Sequence, residues 1–273
     1  MRAPDSWSFE HGMMVRRFGA RTAAATAAGA GSPLELVWIH GLGEWSVTYD
    51  PIVQHPAFAA LAHTLPDLPG YGRSPWPAAL PAGDSLEHLA EHLAAWLRTR
   101  PPAVLIGHSM GGVLATLVAE RVPARGVIDI DGNLTRGDCS FSARAAGWTP
   151  EEFADRGFAE LHAEILSEGE HEPALHGYYA ALSASSPAVF HQNALDLVRL
   201  SETEALAGRL ASLRCPTLFV AGVPDGICEQ SRALLDREGV RWVGVEPAGH
   251  WLFVEAPDAF AEAVRPFLAE CAA

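Results

Sequence analysis

Ser109, His250 and an aspartate are the residue types that nucleophilic acyl transfer needs, and the chain offers all three in suggestive surroundings. Ser109 lies in VLIGHSMGG, residues 104–112, with Gly107 two places before it and Gly111 two places after. A serine presented at a tight strand-to-helix turn is held in a strained backbone conformation. The residues two before and two after crowd that turn, so both positions favour glycine. The apolar run AVLIG before Ser109 reads as a strand, and the small-residue stretch GGVLATLVAE after it reads as a helix. Gly112 is expected to let that helix pack close to the sheet. A Gly-x-Ser-x-Gly string alone arises by chance in roughly one chain in ten of this length, so the argument depends on partners elsewhere.

A serine hydroxyl is a weak nucleophile until a base takes its proton. His250, in VEPAGHWLFVEAPDAF, directly follows a strand, and a loop there can fold back over the strand tips toward Ser109. The imidazole needs a carboxylate to fix its tautomer and stabilise its charge. Two aspartates are placed for this: Asp225, on the loop after a strand in LFVAGVPDG, and Asp131, which ends a strand in VIDIDGN. Asp225 is the first choice, in the order Ser109, Asp225, His250 that is expected for this turn motif. Asp131 is the alternative, as turn aspartates often serve only local hydrogen bonds. A developing oxyanion needs N–H donors. The Met110 backbone supplies one, and WIHGLGEW (38–45), which ends another strand with two glycines, supplies the second from Leu42.

Five strings, in this order, resemble the motifs of the α/β-hydrolase fold superfamily: HG at 40–41, DLPGYGRS at 67–74, GHSMGG at 107–112, GxxD at 222–225 and GH…EAPDAF at 249–260. The resemblance covers about 34–273, apart from a variable helical stretch. It implies an α/β fold with an eight-stranded, mostly parallel sheet flanked by helices and an all-helical cap inserted after the sixth strand. It also implies the Ser–His–acid mechanism already reached from the residues. A serine at the nucleophile position argues against the members that use aspartate there, the epoxide hydrolases and haloalkane dehalogenases.

The elements that must carry these residues can be read directly. LELVWIH (34–40), AVLIG (103–107), GVIDID (126–131), TLFVAG (217–222) and VRWVGVE (240–246) are near-continuous apolar runs, as strands covered on both faces should be. MMVRRFG (13–19) and AHTL (62–65) are weaker strand candidates. In DSLEHLAEHLAAWLR, Asp84 and Glu87 form a capping-box pattern and Leu86, Leu89, Leu93, Trp96 and Leu97 share one face. The last helix, PDAFAEAVRPFLAE, contains Pro266, which must interrupt its hydrogen bonding. Strand–helix alternation implies a parallel sheet with helices on both sides. It stops between about 133 and 213, where Thr149, Pro150 and Glu152 open one helix and EPALHGYYAALSAS and PAVFHQNALDLVRLSE continue the helical pattern. The expected organisation is a core of 1–132 and 214–273 with a helical cap, 133–213, between them.

The chain has 273 residues, 49% hydrophobic and 19% charged, and a net charge of −14. Such acidity disfavours a nucleic-acid partner. No apolar run approaches the roughly 20 residues that span a bilayer. The N-terminus lacks the apolar core of a secretory signal, and the Ala- and Gly-rich 20–33 stretch reads as a loose loop. Four scattered cysteines fit reduced thiols and a cytoplasmic location. His88, Glu91 and His92 spell a zinc-peptidase-like string but fall opposite the leucine stripe, on a solvated face. No metal or organic cofactor is expected, and nothing chooses between a monomer and a homodimer.

The expected partner is a small-molecule substrate, an uncharged or mainly apolar carboxylic ester. Trp45, Trp148, Tyr178 and Trp251 are the candidate pocket residues. A thioesterase, an acyltransferase and a carbon–carbon bond hydrolase are alternatives on the same triad, and a non-catalytic small-molecule receptor is the alternative of another class.

Overall fold

The computed structural model describes residues 3–19, 34–77 and 83–273; the 20–33 stretch lies outside the described residues. Eight strands form one sheet: β1 (Ser6–Glu10), β2 (Met13–Phe18), β3 (Glu35–Ile39), β4 (Ala62–Pro66), β5 (Val104–His108), β6 (Gly126–Ile130), β7 (Thr217–Asp225) and β8 (Trp242–Gly249). Their spatial order is β1-β2-β4-β3-β5-β6-β7-β8. The first two form an antiparallel hairpin, and β2 runs antiparallel to β4. From β4 to β8 every pairing is parallel. The sheet is therefore eight-stranded and mostly parallel, as the motifs implied.

Burial explains why the central strands were readable. All five residues of β5 and of β6 are buried, so no polar alternation is possible. The hairpin strand β1 escaped notice for the opposite reason. Its large residues, Trp7 and Phe9, remain 45% and 60% exposed at the sheet edge, and the guanidinium groups of Arg16 and Arg73 lie against the Trp7 ring.

The helices of six or more residues are α1 (Ser85–Leu97), α2 (Met110–Ala119), α3 (Ser140–Ala146), α4 (Phe158–Glu168), α5 (Ala174–Leu182), α6 (Pro187–Glu202), α7 (Leu206–Ala211), α8 (Glu229–Glu238) and α9 (Pro257–Ala272). The α1 leucine stripe is buried as its spacing requires. Its start departs from a capping box. Asp84 adopts a left-handed φ of 52° and its side chain caps nothing. The carboxylate instead pairs with Arg199 of α6 at 2.8 Å, and Glu87 is drawn to Arg121 and Arg209. The capping box at Thr149 and Glu152 does form. Helix α9 continues through Pro266, so the proline removes one hydrogen bond without ending the helix.

Between β6 and β7 the regular elements of the described chain are all helices, α3 to α7 among them. Helix α6 fastens this insertion to the rest. Its Asp196 accepts the Leu86 N–H at 2.9 Å, and its Asn193 amide donates to the Tyr71 hydroxyl at 2.8 Å. The Ser186 N–H donates to the Gly70 carbonyl at 2.8 Å. The insertion therefore sits over the carboxyl ends of the parallel strands, where open α/β sheets place their ligands.

Candidate active site

Ser109 stands alone between the last residue of β5 and the first of α2. Its backbone is at φ 55° and ψ −123°, outside the regions that L-residues normally occupy. Its N–H donates to Ile130 O at 2.9 Å, and its carbonyl accepts from Gly112 N at 2.9 Å. The flanking glycines are enforced by contact. A Cβ on Gly107 would fall 1.9 Å from Gly111 O, and one on Gly111 would fall 2.0 Å from Ile39 O. One on Gly112 would fall 2.0 Å from Asp129 Oδ1, so that glycine does let α2 lie against β6. Burial pushes the Asp129 carboxyl well above the usual carboxylate range.

His250 follows β8 directly, and its Nδ1 lies 2.7 Å from Asp131 Oδ2. Asp131 is fully buried, with a φ of 50° just after β6. Its other oxygen accepts the N–H groups of Gly222 at 3.0 Å and Ile227 at 3.1 Å. The carboxylate is thus fixed from two sides, and it fixes the proton on His250 Nδ1. In the neutral ring this leaves Nε2 as the lone-pair nitrogen.

This corrects the expectation for Asp225. That residue ends β7 in register with Gly249 of β8 and is exposed. Asp225 lies past the irregularity of the β7–β8 ladder between Gly222 and Pro224, and it is Asp131 that meets the imidazole, at 2.7 Å.

Ser109 and His250 line one small cavity of about 20 Å3. Leu42 lines it too, at the corner of a turn closed by Glu44 N–H donating to Gly41 O at 3.2 Å. Met110 is the first residue of α2, so its N–H is one of the donors a helix leaves without an internal acceptor. The remaining walls include Phe141, Tyr178, Leu197 and Trp251. Phe141, Tyr178 and Trp251 pack ring to ring, with centroids 5.1 to 6.2 Å apart. Of the candidate pocket residues, Tyr178 and Trp251 line this cavity. Trp45 and Trp148 do not: Trp45 lies under the Arg73 guanidinium and Trp148 under that of Arg156.

Three polar residues of the site were not singled out in the sequence. Asn133 Oδ1 accepts the Ser109 hydroxyl at 3.3 Å, while its amide nitrogen donates to Asp138 O at 2.8 Å. Glu44 and His108 line the cavity, are almost fully buried and are paired at 2.9 Å. Burial alone would push the Glu44 carboxyl up. The adjacent His108, with hydrogen bonds from His108, Gly41 and Trp251, brings it down to about 2. Burial likewise opposes a charge on His108, and Glu44 overrides it, raising His108 above the usual imidazole value. The available signal was a histidine inside an otherwise apolar strand, which must find a buried partner.

Across residues 36–263 the sequence matches the alpha/beta hydrolase family. The chain belongs to that family. The pimeloyl-[acyl-carrier protein] methyl ester esterase of Pectobacterium carotovorum is 29% identical over 260 residues, which cover 88% of this chain and 95% of that protein. An esterase of Mycobacterium tuberculosis is 28% identical over 283 residues, covering 93% of this chain and 89% of the relative. A solved thermophilic esterase from Thermogutta terrifontis superposes with a TM-score of 0.74 at 19% identity, covering 97% of this chain and 99% of that one.

Among the described residues this alpha/beta hydrolase has no group of three or more His, Cys, Asp or Glu side chains placed to hold a metal ion. No helix among them is long and apolar enough to cross a membrane. Its four cysteines are free thiols.

Proposed function

We propose that this hydrolase cleaves small carboxylic esters through an acyl-enzyme on Ser109, with His250 as general base and Asp131 as its orienting acid. The observation that carries the reading is the 2.7 Å bond from His250 Nδ1 to the buried Asp131, in a cavity shared with a serine held at φ 55°. The esterase activity of its relatives is consistent with it.

At rest the Ser109 hydroxyl donates to Asn133. Reaction requires it to turn to His250 Nε2, a tightening common when substrate binds. Nε2 then takes the proton as Oγ bonds to the ester carbonyl carbon. The carbonyl oxygen becomes an oxyanion held by the Leu42 and Met110 N–H groups. The C–O bond to the alcohol breaks, and His250 gives its proton to the departing oxygen. Water enters, loses a proton to His250 and attacks the acyl carbon. The acid departs as Ser109 Oγ regains its proton. Asp131 stays ionised and stabilises the imidazolium formed in each half. Helices α3 to α7 act as the cap that closes the acyl pocket.

The wall formed by Phe141, Tyr178, Leu197 and Trp251 suits an uncharged or mainly apolar acyl group. Stopped-flow hydrolysis of p-nitrophenyl esters from acetate to decanoate tests the reading, with Ser109→Ala in parallel. A burst followed by turnover, both lost in the variant, is expected. Turnover retained by Ser109→Ala overturns the assignment.

A further inference from the structure

The reaction just described needs three loops in one register: the 40–45 turn, the Ser109 elbow and the loop of His250. One buried carboxylate is tied to all three. Glu44 Oε2 accepts the Gly41 N–H at 2.7 Å. Glu44 Oε1 accepts from His108 Nδ1 at 2.9 Å and from the Trp251 indole N–H at 2.7 Å. His108, adjacent to the nucleophile, in turn places its Nε2 2.9 Å from the backbone oxygen of His250.

The two partners of the His108 ring settle its charge. One is a carboxylate and the other a carbonyl, and both only accept. A ring nitrogen bonds to an acceptor only by carrying a hydrogen, so both nitrogens are protonated and the ring is an imidazolium. His40, in the same turn, is the contrast. Its Nδ1 lies 2.9 Å from Gly41 O, while its Nε2 receives the Leu68 N–H at 2.9 Å. One donor and one acceptor suffice there, so that ring is neutral, and burial accordingly lowers its basicity.

We propose that His108 is a lasting imidazolium paired with ionised Glu44, and that this buried pair is the positioning device that sets the oxyanion turn, the nucleophile and the base relative to one another. The side chains of His108 and Glu44 are only 1% and 2% exposed. Removing one partner leaves the other's charge unpaired in a buried site. Neither residue is hydrogen-bonded to Ser109 Oγ or to the His250 ring nitrogens; they act through the backbone, through Trp251 and through the His108 ring packed 4.5 Å from that of His250. The proposal rests on Ser109 and His250 as the reacting pair, but its first test does not.

Long-range 1H–15N NMR of the 15N-labelled full chain at pH 8, about 1.5 units above the ordinary imidazole value, reads the His108 ring directly. The expected result is one histidine with both ring nitrogens protonated, a signal absent from His108→Gln. A neutral His108 overturns the proposal, whatever the enzyme's substrate. The second test is kinetic. Glu44→Gln and His108→Gln are each expected to lower kcat for p-nitrophenyl butyrate about 10- to 100-fold with little change in KM, as misplacement of reacting groups does. The double variant is expected to lose no more than the worse single one. Unchanged kcat per folded molecule in both single variants overturns the positioning role. If Glu44→Gln does not fold, Trp251→Phe, which deletes one of the three bonds to Glu44, is expected to show a smaller loss of the same kind, and an unchanged kcat there counts equally against the role. Turnover by Ser109→Ala would sink the catalytic reading while leaving the NMR result to stand by itself.

Discussion

Asp131 and His250 are separated by 119 positions, yet Asp131 Oδ2 sits 2.7 Å from His250 Nδ1, with Asp131 Oδ1 anchored to two backbone N–H groups beyond β7 and within it. Asp131 rather than Asp225 should therefore orient the base. Asp131→Asn is expected to keep the fold and lower kcat by about 10^3- to 10^4-fold, as the corresponding change does in serine proteases by leaving the wrong tautomer. Asp225→Asn should stay near wild type. Steady-state kinetics on one p-nitrophenyl ester decides between them. A large loss in Asp225→Asn with a small one in Asp131→Asn would reverse the assignment.

Tyr178 should set acyl length. It is buried on α5, packs on Phe141 and Trp251, and reaches back to the oxyanion turn, where a Cβ on Gly43 would fall 2.7 Å from its hydroxyl. Tyr178→Ala removes that wall. The chain-length optimum of kcat/KM across p-nitrophenyl acetate to decanoate should move to longer esters, with acetate losing most. An unmoved optimum would place the acyl pocket elsewhere.

A second cavity shares His250, Trp251 and Asp138 with the first and is also bordered by Glu168, Glu172 and Asp225. Arg144 borders it too but is already paired with Glu168 at 2.8 Å and Glu164 at 3.5 Å. Partial burial pushes the Glu172 carboxyl up, and the neighbouring Glu255 and Glu168 add to this. An acyl group bearing a free carboxylate meets a negative field there. Mono-p-nitrophenyl succinate should be hydrolysed with kcat/KM about tenfold below p-nitrophenyl butyrate at low salt. The gap should narrow at 1 M NaCl, where the screening length falls to about 3 Å. Equal values at low salt would remove electrostatic selection from the account.

Much of this site is written locally, and what is not follows a common cause. The elbow is legible because steric demands within five residues leave glycine at 107 and 111, and because fully buried strands show as apolar runs. Asp84 was misread as a cap because its partner, Arg199, lies 115 positions away. The choice between Asp225 and Asp131 failed for the same reason. Both end strands, and only the β7–β8 register and the left-handed turn at Asp131 decide which carboxylate lies under His250. Glu44 carries no local signal, since nothing near it in sequence reveals the imidazole 64 positions on.

The Glu44–His108 pair should also leave a mark on stability with a definite sign. Glu44 is held at about 2, against an ordinary 4.5. A depressed carboxyl stabilises the fold fully above its unfolded value, and that contribution fades as pH falls from 4.5 toward 2. His108 is raised above 6.5, so its contribution is complete below 6.5 and fades as pH climbs through the folded value. The wild type's advantage over the Glu44→Gln/His108→Gln double variant should therefore be widest between 4.5 and 6.5 and shrink on both sides. Urea midpoints at pH 3.5, 5.5 and 8, with m unchanged between the two proteins, measure it. A gap of equal size at all three pH values would mean that packing, rather than charge, separates the two proteins.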